Sequence, residues 1–220
     1  MSTSILDSRT APLSRTAQLS RTAQLSRTAQ LSRTAQTDHP VLDVLAARWS
    51  PRAFDAITPI DEDTLASALE AARWSPSASN TQPWRFIVAR RGTALHDGIH
   101  AALMGFNQVW ADNAAVLIVA VAELETEDGR PQTHAVYDLG QAVAHLSVQA
   151  HHDGLVVHQM SGFVPEQIRA LVDLDPRFAP ITVIALGELG DISALPEPLQ
   201  QREVAPRVRR PLTETIIASA

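Results

Sequence analysis

Apolar residues recur along the chain with two periods. Leu65, Ala68, Leu69 and Ala72 step by three and four, which predicts a helix over residues 62–73 capped by Asp61, favoured at its positive end by Glu62 and Asp63, and stopped by Pro76. Phe86, Ile87, Val88 and Ala89 form an unbroken apolar run, the pattern of a strand covered on both faces, and residues 115–122 and 180–186 repeat it. Residues 41–47 predict a short amphipathic helix, and residues 93–104 another after the break at Gly92. The longest candidate spans residues 134–152. Ala135, Val136, Leu139, Ala142, Val143, Ala144, Leu146, Val148 and Ala150 surround it almost completely, so it is expected in the centre of the fold or between subunits. Gly154 ends it, residues 155–157 predict a short strand, and Val164-Pro165-Glu166 opens a helix bearing Ile168 and Leu171. Residues 123–131, with Glu123, Glu125, Glu127, Asp128, Gly129 and Pro131, predict a solvated surface loop. Beyond Gly187 the chain is proline-rich and no packed element is expected, which suggests an arm reaching across a partner.

From Leu13 to Gln36 the hexamer L-S-R-T-A-Q occurs four times unchanged. In a helix its leucines make no stripe, and in a strand they share a face with arginine and alanine, so neither form offers a surface worth burying. Residues 1–40 are therefore expected to be a low-complexity, disordered extension, although an Arg- and Ser-rich, acid-poor start is also the pattern of a transit peptide. Residues 41–220 are expected to fold as one domain.

Charge and composition narrow the function. The formal net charge is −6, and because residues 1–40 hold five arginines and two aspartates, the remainder carries 13 arginines against 22 acids, a net −9. An acidic body argues against nucleic acid as a partner. No cysteine is present, which excludes disulfides, thiolate metal sites and a cysteine nucleophile and fits a cytoplasmic location. No apolar run approaches the ~18 residues needed to span a bilayer, so no membrane partner is expected. Neither a G-x-G-x-x-G after a strand, a Walker loop nor a G-x-S-x-G elbow occurs. His151 and His152 are adjacent and point to different faces, so no metal site is expected.

Residues 73–86, R-W-S-P-S-A-S-N-T-Q-P-W-R-F, lie between a helix pattern and a strand pattern. Ser77, Ser79, Asn80, Thr81 and Gln82 offer neutral donors and acceptors that suit a flat, heteroatom-rich ligand, and equally an ordinary turn. Two arginine clusters, Arg48 and Arg52 around Ser50 and Arg207 with Arg209, provide forked cations of the kind that bind a phosphate.

The loop resembles the flavin-binding loop of the nitroreductase family, A-[RA]-x-[AS]-P-S-x-x-N-x-Q-P-W-x-F, through Ala72, Ser75, Pro76, Ser77, Asn80, Gln82, Pro83, Trp84 and Phe86. Arg48-Trp49-Ser50-Pro51-Arg52-Ala53-Phe54 is similar to that family's [RK]-x-S-x-[RK]-x-F segment, and Arg207 to Leu212 to its C-terminal [KR]-x-R-x-P-L. The resemblance implies an α+β fold with a central, mostly antiparallel sheet flanked by helices, in a homodimer with exchanged arms and FMN at the interface. It further implies that Arg48, Trp49, Ser50, Arg52, Arg207 and Arg209 hold the phosphate and ribityl chain, while Pro76, Ser77, Ala78, Ser79, Asn80 and Gln82 frame the ring. His158, Met160, Ser161 and Gly162 lie in G-L-V-V-H-Q-M-S-G-F, similar to the family's G-L-G-x-x-x-x-x-G-F/I segment, with Val156 where its second glycine stands. The implied activity is hydride transfer from NADH or NADPH through flavin N5 to a small-molecule nitroaromatic, quinone or related acceptor, in ping-pong order. Phe106 and Trp110 are the expected walls of the acceptor pocket, and no side chain is expected to act as acid or base. A flavin store without turnover, and the dehalogenase and flavin-cleaving branches of the superfamily, are the alternatives.

Overall fold

The computed structural model describes residues 33–218. The repeat up to residue 32, expected to be disordered, lies outside the described residues. Four strands, β1 (Trp84–Arg90), β2 (Val116–Glu123), β3 (Val156–Met160) and β4 (Phe178–Gly187), form one sheet in the order β1-β2-β4-β3, and every neighbouring pair is antiparallel. The protein is α+β, with helices on both faces.

Central strand β2 explains the architecture. Leu117, Val119 and Val121 point into one apolar cluster with Ile99, Ile168 and Val183; Val116, Ile118, Ala120 and Ala122 point into another with Leu65, Ala68, Leu139 and Leu146. A strand buried on both faces has no polar positions to alternate, hence its unbroken apolar run. Each of its larger side chains contributes about 1.5–3 kcal/mol on full burial. Helices α2 (Glu62–Arg73) and α4 (Ala135–His152) cover the second cluster; α3 (Ala94–Ala101) and α5 (Pro165–Val172) cover the first. A fifth short helix, α1 (Asp43–Ala47), precedes them in the chain. Asp61 caps α2 by accepting from the Thr64 N–H at 2.8 Å, and Thr93 caps α3 through the His96 N–H at 3.3 Å. Pro180 lies inside β4 instead of opening it, at a register shift opposite Ala120 and Val121 that accommodates its missing donor.

Three expectations need correction. The segment after Gly187 is not without packed elements: a 3-10 turn (Ile192–Ala194) leads into α6 (Glu197–Val204), which buries Leu199 beside Leu195. Two leucines four residues apart are enough to seat one turn of helix, and Pro196 and Pro198 stand at its start, where proline costs no hydrogen bond. The exposed tail begins only after Val204, where Val208, Leu212, Ile216 and Ile217 are exposed, with a last short helix, α7 (Leu212–Thr215). Glu123 is not part of a solvated loop. It ends β2, buried, with Arg85 Nη2 at 2.7 Å from Oε2 and Arg177 Nη1 at 2.6 Å from Oε1. Helix α4, finally, is not apolar all round within one chain: Val136, Tyr137, Gly140, Ala144 and His145 form an exposed face.

Candidate flavin site

The loop between α2 and β1 is held by three contacts. Asp138, buried on α4, accepts the Ala78 N–H at 3.0 Å; Ser75 Oγ lies 2.7 Å from His145 Nδ1; and Ser77 Oγ accepts the Gln82 N–H at 3.0 Å. Between these pins the backbone is strained, with Ser79, Asn80 and Gln82 all at positive φ (51°, 57° and 50°). A non-glycine residue in the left-handed region costs on the order of 1–3 kcal/mol, least for asparagine, so three in four positions indicate a loop held for use. Pro76, Ala78, Ser79, Asn80 and Gln82 are exposed and Ser77 is half-buried. Shallow hollows of about 330 Å³ and about 300 Å³ flank the loop, one reaching Thr126, Arg130 and His134, the other Pro76, Tyr137 and Gln141.

Arg48, Arg207 and Arg209 line a separate cleft of about 1060 Å³. Burial, and then the charge of Arg209, lower the pKa of Arg48. Among the described residues no carboxylate pairs with Arg48 or Arg209. Two guanidinium groups crowded together without an ion-paired acid favour an anion, and a phosphate dianion fits that donor set. Arg207 acts through the backbone instead: Nη1 donates to the Ala46 carbonyl at 2.8 Å and Nη2 to that of Arg48 at 2.9 Å, so it braces the segment bearing Arg48. Arg52 turns away and pairs with buried Glu203 at 3.2 Å. Ser50 is exposed and Trp49 half-buried at the same turn. Asp38 and His39 complete the wall, and the Ala35 N–H donates to the Ala46 carbonyl at 2.9 Å, so chain from the last hexamer copy reaches this cleft.

His158 is a structural group. Burial drives its pKa from the ordinary 6.5 to about 4, keeping the ring neutral, and Nδ1 lies 2.8 Å from the Pro51 carbonyl, fixing the backbone beside Ser50. Met160 is buried and its carbonyl accepts from Thr182 Oγ1 at 3.0 Å, whereas Ser161 is exposed. The Gly162 carbonyl accepts from the Met104 N–H at 2.9 Å and Asn107 Nδ2 at 3.3 Å, tying this segment to the 3-10 turn Gly105–Val109. Phe106 on that turn is 61% exposed, with the Arg202 guanidinium 5.6 Å from its ring centre. Trp110 is no pocket wall. At 1% exposure it stacks on Phe54 (5.9 Å, 11°) and tilts against His158 (4.6 Å), because a large indole there fills the core beneath the turn.

The structure thus gathers the expected residues into two clusters at opposite ends of α4. Asp138, near its start, holds the loop; His151, near its end, has its pKa lowered chiefly by burial and further by the charges of Arg48 and Arg207. At 1.5 Å per residue those two positions are about 20 Å apart along the axis. None of the cleft's arginines lines either hollow beside the loop. Asp138, His145, Asp38 and Glu203 were not expected from the sequence, because a single acid or histidine in an apolar helix or polar tail has no pattern of its own.

Known proteins share this fold. A solved structure described as an oxidoreductase containing FMN superposes with a TM-score of 0.80 at 36% identity, covering 86% of this chain and 97% of that one. An NADH dehydrogenase of Thermus thermophilus is 29% identical over 182 residues, 67% of this chain and 87% of its own. The major NAD(P)H-flavin oxidoreductase of Aliivibrio fischeri is 37% identical over 73 residues, 32% of this chain and 33% of its own. Residues 45–188 match the family description "Nitroreductase family", and the chain belongs to that family.

Proposed function

We propose that this protein is an FMN-dependent NAD(P)H oxidoreductase, working as a homodimer, that reduces neutral planar acceptors such as quinones and nitroaromatics. One observation carries the reading: a crowded arginine pair with no ion-paired carboxylate and a strained polar loop, both suited to parts of one flavin nucleotide, stand at opposite ends of one helix. Two copies of α4 packed antiparallel about a twofold axis would set the loop of one chain beside the arginines of the other. The exposed face of α4 suits this, since Val136, Gly140, Ala144 and Val148 recur every fourth residue and a Cβ on Gly140 would meet nothing within 4 Å in the single chain.

FMN fits the residues present. Arg48 and Arg209, with Ser50, would hold its phosphate; Arg207 braces Arg48; Pro76 to Asn80 and Gln82 would frame the ring with neutral donors and acceptors. Bound flavin supplies two-electron chemistry at N5, from NADH or NADPH to the acceptor in ping-pong order. The chain supplies position and exclusion of water, and the neutral His158, bonded to Pro51, moves no proton in this role. Asp128 is paired with Arg130 at 2.8 Å, which leaves the exposed Glu125 and Glu127, on the segment beside the loop's hollow, to disfavour anionic acceptors. Anaerobic mixing with NADH or NADPH should bleach the flavin; bleaching by dithionite alone would replace the reductase reading with a flavin store. Gly140→Glu should leave the circular dichroism of the chain intact while abolishing both dimer and bound flavin, and a flavin-loaded monomer would overturn the shared site.

A further inference from the structure

On α3, His96 and His100 stand one turn apart, and both face Asp112 on the 3-10 turn Ala111–Asn113. His96 Nδ1 is 3.8 Å from Asp112 Oδ1 and 4.0 Å from Asp97 Oδ1, and His100 Nδ1 is 3.9 Å from the same Asp112 oxygen. His96 is wholly enclosed, yet neither ring nitrogen has a hydrogen-bond partner at normal geometry, although the Ala114 backbone lies near enough to act on the ring. A fully buried, unpartnered imidazole is costly, and two ring nitrogens converging on one carboxylate oxygen lack whatever should lie between them. His100 Nε2 lies 2.8 Å from the Gln108 carbonyl, which requires the proton there and leaves Nδ1 with its lone pair toward Asp112.

The geometry points to a divalent transition-metal site of the zinc class, with His96, Asp112 and Asp97 as its core and His100 as fourth ligand. Imidazole and carboxylate donors suit zinc, cobalt or nickel better than magnesium or calcium. Bonds of about 2.1 Å in a tetrahedron place ligand atoms about 3.4 Å apart. The 3.8–4.0 Å separations of His96 from Asp97 and Asp112 and of His100 from Asp112 contract to that by about half an ångström, which the exposed Asp97 and Asp112 are free to supply, while His100, outside the close trio of His96, Asp97 and Asp112, swings in as the last ligand. The histidine at i+4 and the carbonyl-oriented His100 ring are the devices that fix such ligands. The expectation of no metal site, drawn from His151 and His152, does not cover this pair. Binding would tie α3 to the turn before β2 and close residues 101–111, which include the exposed Phe106, into a cross-linked loop. The site stands independently of the flavin reading.

The test is equilibrium dialysis of the full-length, tag-free protein against zinc chloride after chelator treatment, with bound zinc counted by mass spectrometry. The wild type should hold a single zinc that Asp112→Asn and His100→Gln weaken at least about tenfold, the scale of losing a ligand or its support, while His152→Gln does not. Zinc should raise the melting temperature of the wild type and not that of Asp112→Asn. The buried His96 is left intact so that misfolding cannot mimic loss of binding. Equal zinc affinity in wild type, Asp112→Asn and His100→Gln, or no bound zinc at saturating concentration, would overturn the assignment.

Discussion

Replacing Asp138 separates a loop held for a ligand from one held for stability. Asp138 is 3% exposed, and among the described residues its carboxylate meets two donors, the Ala78 N–H at 3.0 Å and Gln141 Nε2 at 3.5 Å. That is thin compensation for burying a charge, so the group does little for the fold itself. Its value lies in anchoring the loop whose Ser79, Asn80 and Gln82 sit in the left-handed region. Removing the acceptor forfeits a hydrogen bond to a charged group, about 1.5–3 kcal/mol, and releases the strained backbone to relax. Asp138→Ala should therefore weaken FMN about 10- to 150-fold, read as quenching of flavin fluorescence on titration into apoprotein. Asp138→Asn keeps an acceptor oxygen and should lose less. The melting temperature of the apoprotein should stay level or rise in both, because the desolvation cost is removed. Unchanged FMN affinity in Asp138→Ala, or a large fall in melting temperature with affinity intact, would show that Asp138 serves the core and not the loop.

Arg48→Ala should weaken FMN by about 1.5–3 kcal/mol, with a shallower salt dependence of binding; an unchanged dissociation constant would remove the phosphate from this cleft. Deleting residues 1–33 should leave FMN affinity unaltered, whereas deleting residues 1–40 removes the Ala35–Ala46 hydrogen bond and the Asp38 and His39 wall and should lower it; equal behaviour of the two truncations would exclude residues 34–40 from the site. His158, neutral and buried with a pKa near 4, contributes stability that is complete above its unfolded value of about 6.5 and is lost as pH falls toward 4, up to about 3 kcal/mol. His158→Phe should be less stable at neutral pH through the lost Pro51 contact, yet its denaturation midpoint should fall less steeply between those pH values; parallel curves would show that another group titrates.

The sequence carried what repeats and what is capped. Residues of β2 are apolar at every position because both faces are covered, and Asp61 announced α2 because a cap must precede the first orphan N–H groups. The polar loop before β1 was legible because its residues are local, within ten positions of one another. What escaped depends on partners far away in the chain. Glu123 reads as one acid in an acidic run until Arg85 and Arg177 are folded against it. Trp110 reads as a wall of the acceptor pocket until Phe54 and His158 close over it. Helix α6 hid because Leu195 and Leu199 are only two apolar positions among prolines and charges. His96 and His100 carry no signal until Asp112 is folded against them and gives their spacing a chemical meaning.

The tail after Val204 couples the proposed flavin site to assembly. Val208 and Leu212 line the same cleft as Arg48 and Arg209, and both are largely exposed in the single chain, as is Ile216, while Ile217 is fully exposed. Apolar side chains of this size, left in water along one segment, favour burial against another surface at roughly 25 cal/mol per Å² of apolar area covered. In the proposed dimer that surface is the partner, and ordering the tail against it would also fix Arg209 beside Arg48. Phosphate binding offsets the repulsion of the two guanidinium groups and favours the same ordered tail, so flavin and partner each strengthen the binding of the other by an equal factor. Stripping the flavin should then raise the dimer dissociation constant, and diluting the dimer should release flavin. Sedimentation of apo and FMN-loaded protein across a dilution series tests this, and identical dissociation curves would uncouple the tail from the site.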